Sequence, residues 1–251
     1  MKRGNLVVVH GFGEHSGRYL NLVSHFVPKG FWIWAYDLRG HGRSPGKRGH
    51  INTWEEIRED LRCFLNFVRK EGGDFPTFLF GHSLGGLIVL EYALHYREGI
   101  KGVIASSPAL SKVNFSPILQ SLSKVLAFIL PGLPFPIALN PDHLSRDKAV
   151  VEAYRKDPFV HHLATPRFGE EMERARSWTI GHAEEWGLPL LLIIGTCDML
   201  VPPEGSRLFF NLAKFPQKWM MECEGGFHEP HNDSDFPRVL MGMETWMESI
   251  L

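Results

Sequence analysis

A serine, an acid and a histidine in a telling order along the chain are where this sequence speaks of chemistry. Ser83 lies in Gly81-His82-Ser83-Leu84-Gly85, a G-x-S-x-G run. It follows the apolar stretch Thr77–Phe80 and precedes a helix-forming stretch, Leu84 to Tyr96. A serine on a sharp strand-to-helix turn presents its hydroxyl at the end of a strand. That context separates a working motif from a chance Gly-Ser turn. The turn is tight enough to strain the backbone, and glycines at 81 and 85 remove side chains that would clash there. The following helix N-terminus favours negative charge developing beside the serine. The chemistry implied is nucleophilic attack on a carbonyl.

A hydroxyl is a weak nucleophile until a base takes its proton. The chain offers 13 histidines, so position must choose among them. In this setting the triad runs Ser, then Asp or Glu, then His. His228 follows the strand-like Trp219–Glu222, in Gly225-Gly226-Phe227-His228, where glycines suit a loop that aims a ring across the end of a sheet. The acid should follow the preceding strand. Leu190 to Ile194, then Gly195-Thr196-Cys197-Asp198, supplies Asp198. It would hold the imidazole tautomer and stabilise the imidazolium. Asp37 and Asp233 are rivals. Asp37 precedes the serine and breaks the order, so it reads as fixing its own loop through backbone hydrogen bonds. Asp233 shares the His228 loop, a poor angle for orienting that ring.

Acyl transfer also needs two backbone N–H groups aimed at the oxyanion. Leu84, the residue after the nucleophile, supplies one. Phe12 in His10-Gly11-Phe12-Gly13-Glu14-His15 is the candidate for the other, because flanking glycines let that backbone come close.

The elements that must hold these residues alternate as short apolar runs and amphipathic ones, the signature of a parallel sheet covered by helices. Strands are expected at Leu6–Val9, Phe31–Tyr36, Thr77–Phe80, Gly102–Ala105, Leu188–Ile194 and Trp219–Glu222. A helix after the second strand carries apolar residues from Trp54 to Val68 at helical spacing. Thr53 and Glu56 read as its capping box, and Gly72-Gly73 ends it. Further helices are expected at Glu204 to Leu212 and from Phe236 to the C-terminus. From Leu110 to about Glu185 the alternation stops. That region has no convincing strand and three helix-like pieces, Phe115–Leu130, Arg146–Lys156 and Glu170–Arg176. The division expected is a core of residues 1–109 and 186–251, with residues 110–185 inserted as a helical cap.

Composition narrows the function. The chain has 251 residues, 44% of them hydrophobic, and a formal net charge of −1. A nucleic-acid binder usually shows a basic excess, and none is present. Three widely spaced cysteines argue against a disulfide framework and suit a reducing, cytoplasmic setting. The run Leu6–Val9 is too short for a signal-peptide core. The stretch from Val113 to Leu139 is broken by prolines, serines and Lys124, so it does not read as a membrane span. The first loop lacks the third glycine of G-x-G-x-x-G, which argues against a dinucleotide site.

Taken together, these motifs resemble those of the monoacylglycerol lipases and related lysophospholipases. The resemblance rests on His10-Gly11-Phe12-Gly13-Glu14-His15-Ser16-Gly17-Arg18-Tyr19, on Asp37 through Ser44 with Gly46-Lys47-Arg48-Gly49-His50, on Gly81 through Gly86, on Ala105-Ser106-Ser107-Pro108-Ala109 and on Asp198 through Pro203. It covers nearly the whole chain, more weakly the cap. It implies an α/β-hydrolase fold, a mostly parallel central sheet flanked by helices, with a helical cap inserted before the penultimate strand. It also implies that Glu14, Arg18 and His231 lie near a glycerol head group. The alternative for these three is an ion-pair and hydrogen-bond network that braces the oxyanion loop. Relatives usually carry extra antiparallel strands before that loop, so either a sheet shorter by an edge hairpin or a sequence that lacks its natural start is expected.

Within Phe115–Leu130 the apolar residues form a helical stripe, and Pro131 to Pro136 adds an apolar loop. The excess suits an acyl-chain tunnel wall, with peripheral membrane contact through the cap as a further expectation. The reading is a serine ester hydrolase that cleaves monoacylglycerol, without metal or organic cofactor. A lysophospholipase or a short- to medium-chain carboxylesterase is the alternative. Peptidase activity in the same fold and a non-catalytic binding protein are more distant ones.

Overall fold

The structure, a computed structural model, describes residues 2–111 and 129–251. Six strands form one sheet: β1 (Gly4–Val9), β2 (Phe31–Tyr36), β3 (Thr77–His82), β4 (Gly102–Ser106) and, after a short antiparallel pair β5 (Phe135–Pro136) and β6 (Leu163–Ala164), β7 (Leu190–Gly195) and β8 (Lys218–Cys223). The order is β2-β1-β3-β4-β7-β8 and every neighbour is parallel. All six main strands stand where the apolar runs put them.

Strand alternation builds two cores. Leu6, Val8, Phe78, Phe80, Ile104, Leu191 and Ile193 face one side, where α1 (Leu20–Phe26) and the C-terminal helix α7 (Phe236–Ser249) cover them. Val7, Val9, Leu79, Val103, Ala105, Leu190 and Leu192 face the other, under α2 (Trp54–Gly72), α3 (Leu84–His95) and α6 (Glu204–Leu212). Burying each such Leu, Val, Ile or Phe contributes about 1.5–3 kcal/mol. The central helix α3 is buried at every position from Leu84 to Leu94. It is apolar on nearly every face, as a helix covered on every side should be, and its buried Glu91 is paired with Arg58 of α2. Its outer cover comes from the segment between β4 and β7, which holds α4 (Lys148–Lys156) and α5 (Pro166–Gly181).

The chain leaves the sheet centre in opposite directions after β1 and β3. The cleft between their C-terminal ends is therefore a topological switch point, where open α/β sheets bind ligands. Register carries the other loops to the same edge: Val9 pairs Gly81, Ser106 pairs Ile193, and Gly195 pairs Cys223.

Four local expectations change. The Thr53 side chain makes no capping bond. Glu56 accepts from Asn52 rather than from Thr53, and the Trp54 N–H, the first of the helix, donates to the Glu171 carboxylate of α5 at 3.0 Å. The helix Leu20–Phe26 was not anticipated. The third cap piece is longer than expected, running Pro166–Gly181, because Thr165 caps it by accepting from Phe168 N and Pro166 opens it. The strandless cap gains the β5–β6 pair. Most of the expected helix Phe115–Leu130 lies outside the described residues. Among the described residues, no strand pairs with the outer side of β2, where Trp32 is half exposed.

Candidate active site

The turn that carries Ser83 is set by close backbone approach. Ser83 adopts φ 53° and ψ −115°, a conformation that costs roughly 1–3 kcal/mol. A Cβ on Gly81 would lie 2.2 Å from the Gly85 carbonyl oxygen, and one on Gly85 only 2.0 Å from that of Val9. Hydrogen bonds hold the strained residue on both sides. Ser83 N donates to Ser106 O, and Ala109 N donates to Ser83 O, each at 2.9 Å.

His228 bridges Ser83 and Asp198. Its Nδ1–H donates to Asp198 Oδ2 at 2.7 Å, and its Nε2 lies 3.0 Å from the Ser83 Oγ. The other Asp198 oxygen accepts from Leu200 N and Val201 N, both at 2.9 Å. The carboxylate is thus fixed by its own loop before it meets the imidazole. Burial works against a charged His228, but the Asp198 carboxylate, joined by the charges of Glu229 and Glu14, outweighs it and raises the affinity of this ring for a proton. The histidines around it behave oppositely. Burial lowers His10, His41, His82, His161 and His231, His41 to about 3 and His231 to about 4. A buried ring held by a carboxylate and avid for a proton is what a general base requires.

Asp37 and Asp233 hold other loops. Asp37 accepts from Ser16 N, Ser16 Oγ and Arg43 N. Asp233 accepts from Phe227 N and Arg146 N and pairs with the Arg146 guanidinium. Burial opposes both charges, but these donors hold both carboxyls below the usual aspartate range.

The loop after β1 lies directly against Ser83. A Cβ on Gly11 would come within 3.3 Å of the Ser83 Cβ and 3.2 Å of the His82 ring. Leu84, first in its helix, has no intrahelical partner for its N–H. The Phe12 ring is wedged among His41, His161 and Phe168 at centroid distances of 5.0–5.6 Å. His10 ties the loop inward by donating from Nδ1 to Gly11 O and accepting from Leu38 N at Nε2.

Glu14, Arg18 and His231 lie together in one buried cluster. Glu14 Oε1 accepts from Gly11 N and from Tyr19 Oη, both at 2.6 Å. Its Oε2 accepts from Arg18 at 2.7 Å. Arg18 also pairs with both oxygens of Glu229, at 2.7 and 2.9 Å. Burial alone would raise the Glu14 carboxyl, yet Arg18 and the other donors hold it well below the usual range. His231 is 1% exposed and stacked on Tyr19 with ring planes 3° apart, and among the described residues neither of its ring nitrogens has a hydrogen-bond partner. Glu14 and Arg18 spend their polar atoms on one another, on Glu229, on Tyr19 and on the Gly11 N–H, and His231 is enclosed beside them, an arrangement of the kind the bracing alternative describes.

Sequence reasoning missed Glu229, Tyr19 and Asn232 of this network. An acid immediately after the candidate base was the available signal. It also missed how the inserted segment grips the loops. His161 N donates to Gly13 O, Thr165 N donates to Gly49 O, and His15 Nε2 lies 2.7 Å from Asp157 Oδ2.

The Hydrolase_4 family, described as serine aminopeptidase, S33, matches residues 1–235. The monoacylglycerol lipase of Mycolicibacterium smegmatis is 35% identical over 99% of this chain and 89% of its own. The phospholipase YtpA of Bacillus subtilis is 30% identical over 92% of this chain and 89% of its own. Among solved structures, the monoacylglycerol lipase of Paleococcus ferrophilus superposes with a TM-score of 0.90 at 38% identity, covering 100% of this chain and 97% of that one.

Proposed function

From the premise that this chain belongs to the Hydrolase_4 family, we propose that it is a serine hydrolase that cleaves monoacylglycerol to fatty acid and glycerol through an acyl-enzyme. The observation that carries this reading is the hydrogen-bonded chain Ser83–His228–Asp198 beside the glycine-rich first loop. Ser83 Oγ attacks the ester carbonyl while His228 Nε2 takes its proton. Asp198 keeps the Nδ1–H tautomer and stabilises the imidazolium. The Phe12 and Leu84 N–H groups receive the oxyanion. The tetrahedral intermediate collapses, His228 protonates the leaving glycerol oxygen, and the acyl group stays on Ser83. Water, deprotonated by the same imidazole, then releases the fatty acid and restores the serine.

Glu14, Arg18 and His231 serve this reaction by bracing the oxyanion loop, not by holding glycerol. Residues 110–185 act as the cap over the acyl chain, and residues 1–109 with 186–251 form the core. Ile129, Leu130, Leu133, Phe135, Ile137 and Leu163 expose apolar side chains on that cap, which supports peripheral contact with a lipid surface. Among the described residues, no helix is long and apolar enough to cross a membrane. A cytoplasmic location is part of this proposal.

The kinship with a phospholipase favours a second reading, a lysophospholipase. A peptidase would need an acid for the free amine of its substrate. Glu14 and Glu229, the buried carboxylates of the flanking loops, are both engaged by Arg18. The test compares kcat/KM for monoacylglycerols of graded chain length, matched lysophosphatidylcholines and acetyl esters, with Ser83→Ala as control. A preference for monoacylglycerol, abolished in the variant, is expected. Equal or better turnover of the lysophospholipid replaces the substrate assignment by the second reading.

A further inference from the structure

Glu229 has no part in the proposed reaction steps, yet it is 1% exposed and ionically paired in the loop that carries His228. Its two oxygens take both terminal nitrogens of Arg18, and Asn232 Nδ2 donates to its Oε2 at 3.0 Å. Arg18 belongs to the oxyanion loop and also holds Glu14, which accepts the Gly11 N–H. One guanidinium therefore joins the two loops whose spacing fixes the reaction geometry. It also serves two carboxylates, so the cluster keeps one uncompensated negative charge in a buried place.

We propose that Glu229 is a positioning residue for hydrolysis: through Arg18 it locks the His228 loop to the oxyanion loop, and its charge supports the imidazolium formed at His228. This rests on the reading of Ser83, His228 and Asp198 given above. A buried arginine held by one carboxylate would suffice to brace the loop. The second carboxylate adds charge and a link between loops that bracing alone does not require. Burial of two anions against one cation is costly unless the carboxylates are well hydrogen-bonded, and each of the four oxygens accepts at least one donor, from Arg18, Gly11, Tyr19 or Asn232.

The groups facing His228 come from several elements. Asp198 follows β7, while Glu14, Arg18 and Tyr19 come from the first loop and the start of α1. His82 ends β3 with its ring centroid 4.8 Å from that of His228. His231 shares the His228 loop. From the cap, Tyr154 of α4 lies beneath the Arg18 guanidinium at 4.7 Å, and the His143 carbonyl accepts His228 N–H at 3.3 Å. Of these, Asp198, Glu229 and Glu14 favour the protonated ring, and burial opposes it.

The experiment measures kcat/KM against pH on a chromogenic acetyl ester, a probe independent of glycerol recognition. E229Q removes the charge at nearly constant shape. Its acid limb should move to lower pH by about half a unit. Its kcat should fall about three- to tenfold with KM within about twofold. E229D keeps the charge and shortens the reach, so its kcat should fall with the limb unmoved. A folded E229Q with an unmoved limb overturns the proposal. If E229Q does not fold, E229D decides: a lowered kcat with the acid limb unmoved supports the proposal, and an unchanged kcat overturns it. Labelling of Ser83 by a fluorophosphonate separates the two failures. Labelled wild type with an unmoved limb sinks this proposal alone, while an unlabelled Ser83 sinks the reading of the site and the proposal with it.

Discussion

Replacing Asp198 by Asn tests the hydrogen-bond logic of the site most sharply. In the wild type, Oδ1 accepts two backbone N–H groups at 2.9 Å and Oδ2 accepts the His228 Nδ1–H at 2.7 Å. An asparagine has one acceptor oxygen, and the Leu200 and Val201 donors claim it. Its NH2 group must then point at His228. Two donors cannot face each other, so the imidazole moves its proton to Nε2 and accepts from the amide at Nδ1. In that tautomer Nε2 carries a hydrogen and cannot take the proton of Ser83. The lost imidazolium stabilisation and the wrong tautomer together should lower kcat about 10³- to 10⁴-fold. That corresponds to roughly 4–5.5 kcal/mol of transition-state free energy. KM should change little, because Asp198 is 6% exposed and meets its own loop and His228. Steady-state kinetics with a monoacylglycerol substrate, with circular dichroism to confirm folding, reads the outcome. A folded D198N variant with less than a tenfold loss would refute the reasoning.

Other outcomes follow from the same geometry. Activity should be lost as pH falls through the raised pKa of His228, because the imidazolium cannot accept the Ser83 proton. The acid limb of kcat/KM should therefore lie above the ordinary histidine value, and a limb below it would contradict the Asp198 pairing. Glu14→Ala should reduce kcat about 10- to 100-fold through the unpaired Gly11 N–H and a misplaced oxyanion loop. The loss should be equal on monoacylglycerol and on an acetyl ester, whereas a KM rise confined to monoacylglycerol would restore the head-group role. Gly85→Ala should abolish folded expression, since its Cβ would lie 2.0 Å from the Val9 carbonyl oxygen. A soluble, active G85A enzyme would show that the turn yields more readily than its geometry implies.

What the sequence carried depended on range. Strands buried on both faces announce themselves locally, and Leu6–Val9 and Leu190–Ile194 fall within β1 and β7. Chain order and flanking glycines favoured Ser83, Asp198 and His228 but left Asp37 and Asp233 as rival acids, and the fold brings Ser83, His228 and Asp198 within hydrogen-bonding distance. Contacts across long separations were illegible. Glu229 meets Arg18 across 211 positions, and Glu171 reaches the Trp54 N–H across 117. The Thr53 capping box failed locally, since Glu56 accepts from the neighbouring Asn52. The short helix Leu20–Phe26 escaped because its seven residues span too few turns to show a period. Glu14 and Arg18 were visible as polar residues beside a site, but only the structure reveals that their polar atoms are already engaged.

The most direct test of the central claim is intact-mass and peptide-mass analysis after rapid quenching with a slowly turned-over acyl ester. The account predicts one acyl group, carried on Ser83 and absent from Ser83→Ala, whose hydrolytic activity is lost. An acyl group on another residue, or hydrolysis undiminished in Ser83→Ala, would contradict it.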